Sequence, residues 1–450
     1  MKLLFLTPQL PYPPNKGTAL RNYGLIAGLA ARHDIDVLTF ADADSLRAAR
    51  SSPLAAACRS IDALLTPTRS MARRALTTAL SPWPDMALRL WSTPLATRLT
   101  RQLRERDYDI LQVEGIEMAR YGLLARRQAP RARWVFDDHN AEWLLQRRTY
   151  EAERELAGWS LGAIYSLIQT WKLKRFERKI GRTADCVIAV SQGDASAMLE
   201  LDPGLRVSVV TNGIDTAHYR RDAVTPVEFD APTLVFSGTM DFRPNVDAVL
   251  WFAARVLPEL RAAAPALEFV VVGQRPHARL DALRGRPGIR ITGAVDDVRP
   301  YLAGAAVCVV PLRMGGGTRL KVLEALAMQT PVVSTSLGVD GFEVESGREV
   351  IIADDARQFA AGVLGLIEQS GRRQTLVERG RQFVETRYDW TVIVPKMEEV
   401  YSIALEKLSR PRGFLTATPK GGRRTPRTQR RFRKSVRSPA PLPAGLRSLR

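Results

Sequence analysis

Cysteine is scarce: Cys58, Cys186 and Cys308 are the three in 450 residues, and no two form a CxxC pair. That excludes a disulfide framework and a thiolate zinc site, and points to a reducing compartment. Cys186 and Cys308 lie in strand-like runs and are expected in the core. Long apolar runs are also missing. Nothing approaches the ~20 residues that cross a bilayer, and the LLFL of the N-terminal MKLLFLTP is too short for the apolar core of a secretory signal. It reads instead as a first buried strand. There is no GxGxxG, no GxxxxGK[ST], no GxSxG and no HExxH, which disfavours a dehydrogenase, a P-loop kinase, an α/β-hydrolase and a zincin. Finally, residues 411–450 contain no acid at all.

What is present is ordinary for a globular chain, with 45% hydrophobic and 25% charged residues. The length suits two or three domains at about 100–200 residues each. Lys and Arg number 66 against 47 Asp and Glu, a net +19, of which residues 411–450 carry +12 and the first 410 carry +7. Pro, Gly, Arg, Ser and Thr dominate that last stretch without hydrophobic periodicity, so it is predicted to be a disordered basic tail.

Short apolar runs alternate with helical stretches from the start. Strands are predicted at 3–6, 35–40, 61–65, 110–113, 134–136, 186–190 and 207–210. The charged, proline-bearing 216–231 reads as a linker. A second series follows at 234–236, 269–272, 289–291, 306–310, 331–334 and 350–352, and closing helices at 355–368, 372–386 and from 391 into a segment ending near 410. Helices between successive strands indicate βαβ crossovers and parallel sheets. The fold class is therefore α/β, with one doubly wound domain over 1–215 and another over 232–390. Ligands of such sheets lie beyond the carboxyl ends of the strands, so two domains would enclose one in the cleft between them.

The most informative segment is PLRMGGGTRLKVLEALAMQTPVV, residues 311–333. A strand ends at Pro311, Gly315, Gly316 and Gly317 form a loop, and a helix is predicted over 318–328. Glycines at such a turn admit a ligand close to backbone amides, and a helix N-terminus favours an anion such as a diphosphate. Lys321 and Glu324 are three apart and can share a helix face. The plainer reading is a tight turn with a surface ion pair.

Together with PYPPNKGTALRNY near the start, AVS at 189–191, TNGID at 211–215 and FSGTMDFRPN at 236–245, this segment resembles the GT-B fold retaining glycosyltransferases of family 4, or group 1, over roughly residues 1–408. The resemblance implies two Rossmann-like domains facing a cleft, the N-terminal one for the acceptor and the C-terminal one for a nucleoside-diphosphate sugar. It implies that Glu324 holds the donor ribose, that Gly238 lies near the donor phosphates, and that Gly17 belongs to a loop closing over diphosphate and sugar. His139, in FDDHNAEW, resembles the family's histidine beside the reacting sugar; by itself it would read as a loop histidine. Two departures stand out. The first of the family's paired glutamates falls on Gly316, so contacts there must come from backbone amides around Gly316, Gly317 and Thr318 or from other side chains. The Arg and Lys pair after the first C-domain strand is not recognisable in GTMDFRPN, where Arg243 is present in uncertain register. Arg313, Arg319 and Lys321 are substitute candidates, Lys321 first; Arg319, on another side of the helix, is expected to be solvated.

The family's chemistry retains anomeric configuration, for which a front-face path without an enzyme nucleophile is commonly proposed. No cofactor is expected besides the sugar-nucleotide co-substrate. Of the DxD pairs that could chelate a metal, Asp34/Asp36 and Asp107/Asp109 open strands and Asp42/Asp44 lies in a polar loop; all are read as structural and the chemistry as metal-independent. The acceptor implied is a bacterial cell-surface polysaccharide or lipid-linked glycan, placing the protein in the cytoplasm or peripherally on the inner membrane face. Around LAGWSLGAIYSLIQTW, residues 147–182 are rich in Arg and Lys; an amphipathic surface resting on anionic lipid is one reading, but the aromatic residues there are expected to pack on the sheet with the basic end solvated. Contact with an anionic membrane is assigned to the basic tail, and nucleic acid is disfavoured because no aromatic platform accompanies the charge. A sugar-nucleotide epimerase or phosphorylase on the same fold, or a non-catalytic sugar-nucleotide-binding protein, remain open readings.

Overall fold

Runs such as Glu268–Val272 (EFVVV) and Val307–Val310 (VCVV) are apolar at nearly every position, the pattern of strands covered on both faces. The computed structural model describes residues 1–14, 17–49, 52–315, 317 and 319–406. The predicted tail, Gly316 and Thr318 lie outside the described residues.

In the N-terminal lobe the order is β1 (Lys2–Thr7), α1 (Gly17–Ala30), β2 (Asp34–Ala41), α2 (Ala43–Ala49), α3 (Pro53–Ala57), β3 (Ser60–Leu65), α4 (Met71–Leu80), α5 (Asp85–Arg89), α6 (Thr93–Glu105), β4 (Ile110–Glu114), α7 (Ala119–Gln128), β5 (Arg133–Asp138), α8 (Glu142–Ala157), α9 (Leu161–Thr183), β6 (Cys186–Ala189), α10 (Gln192–Leu201) and β7 (Val207–Val209). The C-terminal lobe continues with β8 (Thr233–Ser237), α11 (Arg243–Trp251), α12 (Leu257–Ala263), β9 (Glu268–Val272), β10 (Ile289–Gly293), α13 (Arg299–Gly304), β11 (Val307–Val310), α14 (Leu320–Ala327), β12 (Val332–Ser334), β13 (Ile351–Ile352), α15 (Ala356–Glu368), α16 (Ser370–Arg387) and α17 (Trp390–Glu406). Each predicted strand is present, its ends within two residues of expectation.

Two parallel sheets result, one ordered β3-β2-β1-β4-β5-β6-β7 and the other β10-β9-β8-β11-β12-β13. In the first, Leu4 and Leu6 face one core with Trp134 and Phe136, while Leu3 and Phe5 face another with Leu25 and Val37, as the period of a strand requires. One continuous core, from Leu234 to Phe383, holds the second sheet.

The closing helix does not stay with the lobe that precedes it. Ile393, Val394, Met397, Val400 and Tyr401 of α17 join the core of Leu3, Phe5 and Leu25 in the N-terminal lobe. Glycine makes the approach possible: a Cβ at Gly24 or Gly28 of α1 would overlap Trp390 or Val394. The chain thus crosses between lobes twice, and the crossings are bonded to each other. Ile214 N–H donates to Tyr388 O at 2.8 Å, Trp390 N–H to Ile214 O at 3.2 Å, and Thr216 Oγ1 to Asp389 Oδ2 at 2.6 Å. Arg381 of α16 locks the start of the predicted linker, donating to the carbonyls of Thr216, Tyr219 and Ala327.

One expectation fails in this layer. The aromatic residues around α9 were to pack on the sheet, yet Trp159 and Trp171 are 62% and 57% exposed, because α9 turns a polar face inward at that end.

Substituting Gly24 by Ala forces a methyl into the indole of Trp390, a rigid neighbour that cannot swing aside. The variant is expected to lose about 1–3 kcal/mol of stability, read as a lower urea midpoint, with part of the loss recovered in Gly24→Ala/Trp390→Leu.

Candidate active site

Both sheets reverse their strand order at one point, between β1 and β4 and between β8 and β11, where ligands of doubly wound folds bind. Above these points lies a cleft of about 640 Å³, walled by the C-terminal lobe and closed from the other side by Gly17 and Leu20 at the start of α1. A smaller cavity of about 140 Å³ lies between the lobes around Arg148, Ser191, Gly317 and Asp340.

The C-terminal wall is built on Gly238, the residue after β8. Its φ of +151° suits glycine, and a Cβ there would come within 2.8 Å of Asn245 Nδ2 and 3.0 Å of Lys321 Nζ. Gly273 abuts it so closely that any side chain would strike the Gly238 carbonyl. Lys321 donates to Asn245 Oδ1 at 2.9 Å and stands 4.0 Å from the centre of the Phe236 ring. Burial strips water from its ammonium and lowers its pKa to about 7, although Glu324 opposes the shift. Glu324 shares the cleft wall; burial raises its pKa, while the Tyr219 hydroxyl, 3.3 Å from Oε1, and Lys321 hold it down. Lys321 and Glu324 are therefore brought together beneath Gly238, on α14, as their spacing predicts.

Gly315 and Gly317 adopt φ of +111° and +78°, which favours glycine in this loop. Gly315 borders the cleft, and Gly317 meets Asn140 of the opposite lobe, whose Oδ1 would lie 3.0 Å from an added Cβ. α14 begins at Leu320 rather than at residue 318. Arg319 is not solvated as expected: it is 7% exposed, donates to Gly317 O and borders the cleft. Arg313 is not brought to the cleft. Its guanidinium is taken by Asp247 of α11, at 2.9 and 3.1 Å, beside Trp251. Arg243 is exposed at the start of α11 and lines no cavity described above.

In the N-terminal lobe, His139 follows β5 and its Nε2 lies 2.8 Å from Glu114 Oε2, but it lines neither cavity described above. Burial alone would lower the imidazole pKa, but the Glu114 carboxylate and Asp137 overcome it and raise it. Arg21 of α1, 2% exposed, donates through Nε and Nη2 to Asp137 Oδ2 at 3.0 and 2.7 Å and through Nη1 to Thr211 O and Asn212 Oδ1. Removing one partner of such a buried pair costs about 3–5 kcal/mol. Beneath α8 lies a second acidic group. Asp138 has both oxygens buried without a hydrogen bond, and burial with Glu177, Glu142 and Asp194 nearby pushes its pKa well up; Glu142 rises to about 7 by burial.

Among the described residues, Glu114, Asp137 and His139 have metal-ligand chemistry with donor atoms within 4.8 Å of one another. The Arg21 guanidinium already supplies a cation at Asp137. The DxD aspartates have other work. Asp36 is buried beneath Arg59, Ser60, Arg106 and Tyr108, and bonds to these partners outweigh desolvation and lower its pKa to about 2. Asp109 accepts the Lys2 amide and Asp44 pairs with Arg47.

Glu114, Arg21, Asn245 and Tyr219 escape a reading of the sequence because each acts on a partner far along the chain: 25 residues for Glu114 with His139, 116 for Arg21 with Asp137, 76 for Asn245 with Lys321 and 105 for Tyr219 with Glu324. The one available signal was position: Glu114 ends a strand beside the switch point and Arg21 lies in the first helix after β1.

This arrangement of paired Rossmann-like lobes is the GT-B architecture. Anabaena HepE in complex with UDP and glucose superposes with a TM-score of 0.60 at 17% identity, covering 89% of this chain and 99% of that one. Sucrose-phosphate synthase from Thermosynechococcus elongatus gives 0.64 at 18%, covering 90% and 100%. Residues 16–218 match the model of Glycosyltransferase Family 4 and residues 231–369 that of Glycosyl transferases group 1; the chain belongs to this family of glycosyltransferases. Phosphatidyl-myo-inositol mannosyltransferase of Propionibacterium freudenreichii is 29% identical over 53% of this chain and 61% of its own length, so the match spans less than two thirds of that relative. A 44.6 kDa protein of the Klebsiella pneumoniae cps region is 21% identical over 86% of this chain and 96% of that one.

The state of Lys321 yields a pH test. Burial lowers the pKa of its amine to about 7, and a diphosphate held by Lys321 would bind only the ammonium form. Affinity for a nucleoside diphosphate is thus fullest below about 7 and falls as pH rises toward the higher pKa the paired amine acquires, by up to about tenfold per pH unit. Calorimetric titration with UDP from pH 7.5 to 9, where the ligand's own phosphate is ionised, should show that slope; in Lys321→Gln it should vanish and binding at pH 7.5 should weaken. A flat profile in the unsubstituted protein would remove Lys321 from the phosphate site.

Proposed function

We propose that the protein transfers a sugar, with retention of anomeric configuration, from a nucleoside-diphosphate sugar to a lipid-linked or polysaccharide acceptor of the bacterial cell surface. The observation that carries this reading is the pairing of Lys321 and Glu324 on one face of α14, in the cleft wall under the open backbone of Gly238. As the anomeric bond breaks, negative charge grows on the leaving diphosphate. Lys321, the amide of Gly315 and the N-terminus of α14 are the groups that stabilise it. Glu324 receives the ribose hydroxyls, with Tyr219 keeping its carboxylate in place. His139, held by Glu114, is the residue assigned to the transferred sugar.

Both carboxylates nearest His139 are already engaged, Glu114 by the imidazole and Asp137 by Arg21. That favours a front-face path in which the departing phosphate takes the acceptor proton and no side chain attacks. Solved neighbours carrying UDP and UDP-glucose make a UDP-sugar the first donor to try. Relatives named for a phosphatidyl-inositol mannosyl transfer and for a cps region support a membrane or capsular acceptor, hence a place at the cytoplasmic face of the membrane. Among the described residues no helix is long and apolar enough to cross a bilayer.

Turnover is the test. With a panel of UDP-, GDP- and ADP-sugars and lipid-linked acceptors, one donor should release its nucleoside diphosphate and give a product of unchanged anomeric configuration by NMR. Binding without release would point to a non-catalytic protein instead. Glu324→Ala should weaken donor binding about 10-fold or more, the value of a charge-assisted hydrogen bond. His139→Ala should lower kcat on the order of 10²-fold with little change in donor affinity. With Lys321 as the cation for the leaving diphosphate, EDTA should leave turnover unchanged.

A further inference from the structure

α9 is inverted over its first half. Facing inward are Ala163, Ser166, Gln169, Thr170 and Lys172, each polar one with a hydrogen-bonded partner. Ser166 Oγ donates to Glu153, Thr170 Oγ1 to the Ser166 carbonyl, Gln169 Oε1 accepts the Asp85 amide, and Lys172 Nζ caps α4 at the carbonyls of Thr78 and Ser81. Facing outward are Leu161, Ile164, Leu167, Ile168 and Trp171, with Leu161 88% exposed and Trp171 57%. Positions 161, 164, 168, 171 and 175 recur at helical spacing and form one stripe. In the second half the order is restored: Leu173, Phe176 and Ile180 enter the core, and Arg175, Arg178, Lys179 and Arg182 face solvent. A water-facing helix has no reason to place amide and ammonium groups inside and aliphatic ones outside, and a contiguous apolar patch of this kind marks a contact surface.

The surroundings identify its partner. Trp159 at the tip of the α8–α9 hairpin lies under Arg154, 4.7 Å from the ring centre, and Trp171 under Arg175, 4.8 Å. Apolar residues bounded by tryptophan and arginine match the layering of a lipid headgroup region, aliphatic groups deepest, indoles at the boundary and cations among the phosphates. A second copy would bring another surface of the same net positive charge against these cations, whereas anionic headgroups neutralise them. Near the hairpin tip the acids of α8, Glu151, Glu153 and Glu155, are outnumbered by Arg147, Arg148 and Arg154 on the same helix together with Arg175, Arg178, Lys179 and Arg182 on α9. Exposed Leu76 and Leu80 on α4, which Lys172 holds to α9, extend the apolar surface.

We propose that the outward face of α9, with the tip of the α8–α9 hairpin, docks the protein on an anionic lipid bilayer by shallow insertion of Trp159, Leu161, Ile164, Ile168 and Trp171. Membrane contact is thereby assigned to a folded surface of the N-terminal lobe, separate from the basic tail. α8 starts three residues after His139 and is sixteen residues long, about 24 Å at 1.5 Å per residue, so the hairpin links the cleft to the lipid surface from which a lipid-linked acceptor would come. That last connection rests on the transferase reading; the docking does not.

The test uses full-length protein, no sugar donor, and vesicles of phosphatidylcholine with or without about 30% phosphatidylglycerol, their acyl chains brominated to quench inserted indoles. Flotation with the anionic vesicles and quenching of tryptophan fluorescence are expected. Trp159→Phe/Trp171→Phe should keep flotation and lose most of the quenching, and Ile164→Glu/Ile168→Glu should lower vesicle partition at least tenfold while circular dichroism and melting stay unchanged. Flotation without quenching and insensitive to the Glu variant would assign binding to the tail and overturn the proposal. So would the absence of flotation, or a dimer in sedimentation that the Glu variant abolishes. Vesicle binding by a chain inactive on every donor would sustain the docking and defeat only the transferase reading.

Discussion

The cleft depends on how the chain passes between its lobes. Each half of the site belongs to a different sheet with its own core, so the distance between Lys321 and His139 is set by the two crossings at 213–219 and 388–390. These are bonded to one another through Ile214, Tyr388, Trp390, Thr216 and Asp389, and Arg381 fixes the first of them to the C-terminal lobe. α17 then docks on α1, which carries Arg21 and begins at Gly17. Packing of one closing helix against glycines thus governs where the N-terminal half of the site sits. A pair of crossings sharing few hydrogen bonds can also bend, which a cleft must do to admit and release its ligand.

Buried charge organises each wall. Arg21 anchors the end of β5 and the loop at Thr211–Asn212, and so holds the backbone from which His139 extends. Lys321 sits against Asn245 and the Phe236 ring, and burial lowers its pKa to about 7. In the first case the counter-ion is internal and the pair is structural; in the second the low dielectric makes the cation a better ligand for phosphate, because little water must be displaced. Lys321 reaches the cleft from α14, three helices beyond α11, where the family's basic pair was sought.

α9 shows the same economy applied to its two faces. Its polar inner groups tie α4, α5 and α8 to the lobe through specific hydrogen bonds, leaving aliphatic residues outside. Its basic second half packs conventionally. The change of face occurs near Trp171 and Lys172, adjacent residues that point in opposite directions.

Strand positions and the α/β class were legible in the sequence, since buried parallel strands announce themselves as short apolar runs, and so was the Lys321–Glu324 face, because three-residue spacing on a helix is a local property. His139 could be placed by its position after a strand. The sequence alone could not give the Glu114 partner of that histidine, the Arg21 clamp, the loss of Arg313 to Asp247 or the burial of Arg319, because each depends on side chains brought together from distant elements. Nor could it give the outward face of α9. Hydrophobicity reveals that a residue avoids water, but only the tertiary fold decides whether the protein itself provides the shelter.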